Sequence, residues 1–543
     1  MTGPGQHLKQ GRYTMTIRVQ FRALCVALAL VAAAMPLKAD AAEFRWAAQG
    51  DAGSLDPHAL AEGFTLSFLG NVYEGLVRRA KDLSLEPALA TKWYTTEPSV
   101  WRFELRQGVT FHDGTPFTAD DVVFSFERAS ADQAGIKGML GVIKEVRKVD
   151  ASTVDVVTPK PDPIMPQAIA NWLIMSKSWA EKNGATTSSN VGDKVENFAS
   201  INTNGTGPFK VVERVTDNKT VLEPFEGWWD TAEHNVTRAQ FRPIKADATR
   251  VAALISGEVD MVFPVPLQDI PRIESTSGLK VLQGPELRTI FLAMDVDRDE
   301  LLYSSVKGKN PFKDIRVRQA FYHAIDEQAI VDKVMRGAAT PAGMLVGPGI
   351  NGFNEDLNGR LPHDPGKAKA LLASAGYPDG FEIGLDCPNN RYVNDERICQ
   401  AIVGMLAKVG IKANLTAMPK SQYFAKLKEL DTSFYLLGWT SGTYDAHHPM
   451  RFLMHTTDPS RKLGSWNFAR VSDSEIDGLV DQIATEVDAK RRQTLIDQVH
   501  TRHRELVLHI PLHQQALAWA MADRVELVQR ADNFFNLRWV TVQ

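Results

Sequence analysis

The chain has 543 residues, 44% of them apolar and 23% charged, with a formal net charge of −4. This is ordinary globular composition, with ample length for more than one core. No basic tract lies beyond residue 41, which argues against nucleic acid or anionic lipid as the main partner.

The first element is a leader. Arg18 and Arg22 precede the apolar run "ALCVALALVAAA", residues 23–34, and "MPLKADA" follows. A basic start, a short apolar run and a small-x-small end read as a secretory signal peptide over residues 1–41, cut after Ala39-x-Ala41. Met15 is an alternative start. The run is too short to span a bilayer, and no second run approaches that length. Leu24 stands where a lipid-attachment signal at Cys25 wants a small residue, so no lipid anchor is expected. The leader carries Lys9, Arg12, Arg18, Arg22 and Lys38 against Asp40. The mature chain is therefore more acidic than the whole. A soluble exported protein in the periplasm is the expectation.

The mature start, "EFRWAAQG", is strand-like, and "GSLDPH" turns the chain. "VWRFELRQG" alternates, with Trp101, Phe103 and Leu105 on one face, and ends at Gly108. In "PFTADDVVFSFERA", Thr118 is an N-cap with Asp121 three residues on, and the helix buries Val122 and Phe126. "TVDVVTP" and "FKVVERV" are short strands.

A second style begins near residue 310. "DIRVRQAFYHAIDEQAIVDKVMRG" predicts one long amphipathic helix ending at Gly337. "DPGKAKALLASAGYPDG" predicts another, capped by Asp364 with Pro365 at its first position. "DERICQAIVGMLAKVG" is a third. The strands "FEIGLDC", "IKANLTAM" and "SFYLLGW" lie between or after them, so this part reads α/β. The helix "SEIDGLVDQIATEV" and the strand-like "HIPLHQQALAWAM" close the chain. No flexible linker divides the two styles, which predicts lobes joined by ordinary strands.

Cys387 and Cys399 flank "PNNRYVNDERI". In an oxidising compartment they form either a disulfide, worth about 3 kcal/mol in the chain-entropy model, or two buried thiols. Without CxxC spacing they do not suggest structural zinc. No GxSxG, HExxH, P-loop or strand-linked GxGxxG is present, so the motifs show no enzyme. "DVDRDE", Asp295 to Glu300, starts like a calcium loop, but Glu300 stands where glycine is required and Val306 where the bidentate acid belongs. His447, His448 and His455 are candidate metal ligands, yet adjacent histidines on an extended loop point apart. Pro511 separates His509 from His513 and rules out a shared helical face.

The segment "WRFELRQGVTFHDGTPFTADDVVFSFERA" strongly resembles the family 5 solute-binding proteins of bacterial ABC transporters, which include oligopeptide, dipeptide and nickel binders. Further matches run in order along nearly the whole mature chain: "SLDPH", "NVYEGLVRR", "LEPALATKWY", "NGTGPFKVV", "PFEGWWD", "PFKDIRVRQAFYHAIDEQAIV" and "SWNFARVSDSEIDGLV". The resemblance implies an α/β two-lobed clamshell. Lobe I would comprise residues 42–288 and 512–543, with a subdomain inserted at about 82–198. Lobe II would fill 289–511. Strands near "TIFLAMDV" and "HIPLHQQ" would cross between the lobes as the hinge.

The resemblance also implies where the ligand sits. In relatives that bind peptides, an aspartate three residues after the Trp of the "GW" strand grips the α-ammonium. Here that position is Gly442, and Asp445 aligns with a second acidic position, in a pattern similar to glutathione binders. The expected lobe II wall is Trp439, Thr440, Ser441, Gly442, Thr443 and Asp445. Arg391 and Tyr392 are a second group: the arginine either clasps a ligand carboxylate or forms a surface salt bridge. Gly53, Ser54 and Asn467 are further candidates. No cofactor and no metal are expected. The implied partners are a peptide-like solute and an inner-membrane permease with its ATPase, the protein itself being monomeric. An opine, glycoconjugate or metal chelate is the alternative ligand class, and a secreted hydrolase the more distant rival.

Overall fold

The computed structural model describes residues 1–3 and 42–543. The expected signal run and cleavage site fall within residues 4–41, outside the described residues. Among the described residues no helix is long and apolar enough to cross a membrane.

One mixed sheet runs through the described residues from Ala42 on. Ten of its eleven strands are β1 (Ala42–Ala48), β6 (Phe209–Val215), β7 (Lys219–Pro224), β8 (Val236–Pro243), β9 (Met261–Phe263), β10 (Leu279–Met294), β11 (Phe381–Pro388), β12 (Ile411–Met418), β13 (Phe434–Trp439) and β14 (His509–Ala522), and the eleventh, Thr340–Pro341, pairs with β14. Their spatial order is β12-β11-β13-β10-β14-β9-β1-β8-β7-β6. A separate four-stranded antiparallel sheet of β2 (Ala90–Glu97), β3 (Val100–Leu105), β4 (Glu145–Asp150) and β5 (Thr153–Val157), ordered β2-β3-β5-β4, forms the inserted subdomain.

The inserted sheet buries Phe103, Leu105, Val154 and Val156 against α1 (Ala119–Ser130). Thr118 and Asp121 close the expected capping box at the start of α1, which satisfies two otherwise orphaned backbone donors. The far end of α1 is tied to the first lobe by a fully buried ion pair. Arg128 gives both terminal nitrogens to Asp56, at 2.7 and 2.6 Å. Asp56 also accepts from the Ser189 backbone and hydroxyl and from the His58 amide. Burial alone would raise the Asp56 pKa, but the Arg128 hydrogen bonds and charge outweigh it and hold it at about 2.

The long helix expected over residues 314–337 is broken. A helix at Ile315–Ala324 ends at an extended Ile325, and Asp326 caps a new turn by accepting from the Ala329 amide. A π-helical stretch, Ile330–Val334, follows. The internal acid competes successfully for the backbone, as capping residues do. The helix at Pro365–Ser374 is capped by Asp364 as expected. So is the Asp295 turn explained: its carboxylate accepts from the Asp297 and Arg298 amides and pairs with Arg298 at 3.0 Å.

The two longest strands cross between lobes. β10 and β14 pair along their whole length, Leu279 with Ala522 at one end and Ala293 with His509 at the other. The first half of β10 lies in the lobe I half of the sheet. The second half pairs with β13, Thr289 opposite Trp439. Register breaks twice, between Pro285 and Thr289, where Glu286, Leu287 and Arg288 face Gln515 alone, and between Ile290 and Phe291, where Leu512 is the extra residue. A bulge of this kind bends and twists the strand and frees its side chains from the ladder.

Many histidines are buried or half-buried. His58, His112, His447, His448 and His503 are pushed down to about 4, in each case first by burial. His500 falls to about 3 for the same reason. An unfolded histidine titrates near 6.5. Between that value and the folded one, the unfolded state binds more protons, so stability is full above pH 6.5 and is lost as pH falls toward 4. The melting temperature should drop by about 5 °C or more between pH 7.5 and pH 5. Calorimetry showing a flat profile would contradict neutral buried imidazoles.

Candidate functional site

Strand direction locates the site. β11, β12 and β13 are parallel to one another, and β13 runs from Phe434, opposite Met294, to Trp439, opposite Thr289. Their carboxyl ends therefore point at the register break. β1 is parallel to β9, which pairs with β14 through Val262–Ala520 and Met261–Met521. The carboxyl end of β1 points at the same break from the other side. Loops after strands in open α/β sheets form ligand crevices. Here the 389–394 loop meets the crossover through Val393–Gln515 and Tyr392–Arg288, and the loops at 440–446 and 49–58 follow strands whose ends point toward it.

The 389–394 loop is held on all sides. Cys387 and Cys399 are bonded, tying the end of β11 to α2 (Asp395–Ala407). The Asp395 carboxylate accepts from the Arg391 and Tyr392 amides at 2.8 and 3.0 Å. The Tyr392 hydroxyl donates to the Gly438 carbonyl at 3.3 Å. A Cβ on Gly438 would lie 2.7 Å from the Tyr392 ring, so only glycine lets that ring seat against β13. Gln515 links loop and hinge: its carbonyl accepts from the Val393 amide at 3.0 Å and its amide donates to Glu286 at 2.5 Å.

Two guanidiniums share the Tyr392 ring. Arg391 lies 5.1 Å from its centroid and Arg288 lies 5.9 Å away. Arg288 makes one long contact to Glu286, 3.4 Å. The Arg391 side chain is exposed. Burial first, and the Arg288 charge second, push its pKa down. It has no ion pair, so the surface salt bridge considered from the sequence is not what this side chain makes.

Aromatic rings line the neighbouring wall. Trp439 is half-buried, with Phe452 at 5.9 Å, Trp466 at 5.5 Å and His448 at 5.4 Å between ring centroids. The Trp439 indole donates to Nδ1 of His448 at 3.0 Å, which occupies that nitrogen. The Thr440 and Thr443 hydroxyls are buried without a partner, and Gly442 is exposed beside the His448 ring. Among the described residues, no group of three or more His, Cys, Asp or Glu is placed to hold a metal ion.

Several expected ligand groups are instead spent inside the protein. Asp445 is fully buried and takes both terminal nitrogens of Arg492 at 2.7 and 2.8 Å, the Asn351 amide at 2.5 Å and the His447 amide at 2.9 Å. Its carboxylate has no edge left for a ligand ammonium. Burial opposes its charge, and Arg492 more than compensates, lowering its pKa. The Ser441 hydroxyl bonds the Asp445 backbone, donating to the carbonyl and accepting from the amide. Asn467 bonds the His455 and Val471 backbone. Ser54 accepts from the Asp56 amide. These four shape loops. Gly53 remains exposed on the lobe I side, its amide bonded to Thr65.

Sequence reasoning missed Arg492, Glu286, Arg288, Gln515 and Phe452. Arg492 lies on α3 (Ala489–Leu506), whose Asp488 cap and buried Leu495, Ile496 and Val499 at helical spacing were legible signals. Nothing local ties it to Asp445.

Loops from two half-sheets converging on a bulged crossover define a two-lobed, clamshell solute-binding protein. The description "Bacterial extracellular solute-binding proteins, family 5 Middle" matches residues 84–461, and the chain belongs to that family. It is 29% identical over 450 residues to the dipeptide-binding protein of Escherichia coli (strain K12), covering 78% of this chain and 80% of that one. It is 27% identical over 490 residues to the glutathione-binding protein GsiB of Shigella dysenteriae, covering 88% and 90%. The structure of HbpA2 from Haemophilus parasuis superposes with a TM-score of 0.79 at 25% identity, over 92% of this chain and 100% of the other.

The Asp445 ion pair makes a test. Asp445→Ala strands a buried guanidinium and should cost about 3–5 kcal/mol. Pairing it with Arg492→Met should recover most of that loss in urea denaturation. An Asp445→Ala protein as stable as the parent would show that the carboxylate is not engaged as described.

Proposed function

We propose that this protein is the periplasmic capture subunit of an ABC importer, taking a peptide-like solute that presents a free carboxylate to Arg391. Lobe I comprises residues 42–288 and 512–543, with the subdomain at about 82–198, and lobe II comprises 289–511. The observation that carries the reading is the Arg391 guanidinium, exposed and without an ion pair, sharing the Tyr392 ring with Arg288 at the crossover. A carboxylate arriving there meets a planar donor fork with no competing acid and a second guanidinium, Arg288, beside it. Trp439 supplies a flat apolar surface beside it, Thr440 and Thr443 supply free hydroxyls, and exposed Gly53 and Gly442 leave room for ligand backbone.

The two relatives named for dipeptide and glutathione binding support a peptide-like ligand. Gly442 in place of an acid, and Asp445 locked to Arg492, favour a solute whose recognition rests on its acidic groups over its α-ammonium. A solute touching both lobes favours the closed arrangement, because only there are all contacts made. The closed, monomeric protein then docks on its inner-membrane permease, whose ATPase supplies the energy. Binding needs no cofactor and no chemical step.

The test is isothermal titration with short peptides and glutathione. Arg391→Ala should weaken a binding peptide by about 10–100-fold, the worth of a charge-assisted hydrogen bond. The same peptide with an amidated C-terminus should bind the parent as weakly as the acid binds the variant. Equal affinity of acid and amide for the parent would remove Arg391 from the site.

A further inference from the structure

A second guanidinium stands at the other end of the aromatic wall. Arg451 is half-buried, and its side chain has neither an ion pair nor a hydrogen bond, its Nε being buried without a partner. Its guanidinium carbon lies 5.4 Å from the Phe452 ring, which lies 5.9 Å from Trp439. From Trp439 the row continues through Gly438 and Tyr392 to Arg391. Burial lowers the pKa of both arginines. The other described guanidiniums lowered by burial are all bonded: Arg79 and Arg318 to backbone carbonyls, and Arg538 to Glu86.

An unpaired cation in a crowded site is costly unless an anion completes it. Nearby carboxylates do not. The charge of Asp162, on the inserted subdomain, favours the Arg451 cation without reaching ion-pair distance, while Arg461 opposes it. The Asp162 carboxylate is itself held by the Ile164 amide at 3.0 Å. Asp445 is spent on Arg492.

Resting on the proposed capture of a carboxylate by Arg391, we infer that Arg451 is a second anion-recognition residue, and that the solute carries two acidic groups separated by a body that lies along Trp439 and Phe452. Peptides with an acidic residue away from the C-terminus, and γ-glutamyl peptides, have this chemistry. Asp162, facing the same guanidinium from the opposite subdomain, tempers the affinity for the second anion and disfavours tight retention.

The experiment uses the mature protein with glutathione, Glu-Ala-Ala and its isostere Gln-Ala-Ala, which has one carboxylate fewer. For the parent, the di-acid should bind about 10–100-fold tighter than the isostere. Arg451→Gln should abolish that ratio while still binding Gln-Ala-Ala, which also shows that the variant folds. Asp162→Asn should raise di-acid affinity alone. Equal binding of Glu-Ala-Ala and Gln-Ala-Ala by the parent, no binding of any di-acid, or a ratio unchanged in Arg451→Gln would overturn the inference. If Gln-Ala-Ala binds and loses affinity in Arg391→Ala, the proposed function stands even when the role of Arg451 fails. If Arg391→Ala changes nothing, the failure lies in that prior reading.

Discussion

The continuity of β10 and β14 across both lobes is the constraint on which the rest depends. Strands that pair end to end cannot slide past each other, so relative lobe movement must be absorbed where the ladder is already broken. That place is the stretch from Glu286 to Phe291, broken at Glu286–Arg288 against Gln515 and again between Ile290 and Phe291, where Leu512 is the extra residue. The carboxyl ends of the parallel strands on either side aim their loops at the same place. Hinge and binding loops are thus adjacent by topology, and Gln515 joins them directly through Val393 and Glu286. A solute seated on the 389–394 loop, as proposed, would act on the segment that must bend.

Charge is sorted into two kinds in this fold. Asp56–Arg128 and Asp445–Arg492 are buried, bidentate and further bonded. Such pairs add little net stability over apolar replacements, but breaking one is expensive. Their role is positional: one pins the inserted subdomain to lobe I, and the other holds the loop that follows Trp439. Arg391, exposed, and Arg451, half-buried, form the second kind, charged side chains left without an ion pair. Binding sites differ from cores in this respect, since their polar groups are completed by the ligand.

Much of this was legible in the sequence because the signals were local. The alternation of Val100–Leu105, the Thr118–Asp121 box and the Asp364 cap each lie within one element and appear where expected. The break at Asp326 was misread because an apolar period continued past an acid that prefers to cap. At the site, Arg391 could be proposed because the cysteines isolate its loop. Asp445 was recognisable as an acid on a binding loop, but its fate was set by Arg492, 47 residues on. Arg288 and Gln515 carry no local mark at all; a register shift between strands more than 200 residues apart exposes them. Family resemblance supplied the lobes, while partner assignment required the folded chain.

The most direct measurement is a crystal structure of the protein purified from the periplasm with the small molecule it carries. The expected result is a bound solute between the lobes, with one acidic group on Arg391, its body against Trp439, and Asp445 still paired to Arg492. A solute held within one lobe alone, or one whose ammonium displaces Arg492 from Asp445, would contradict it.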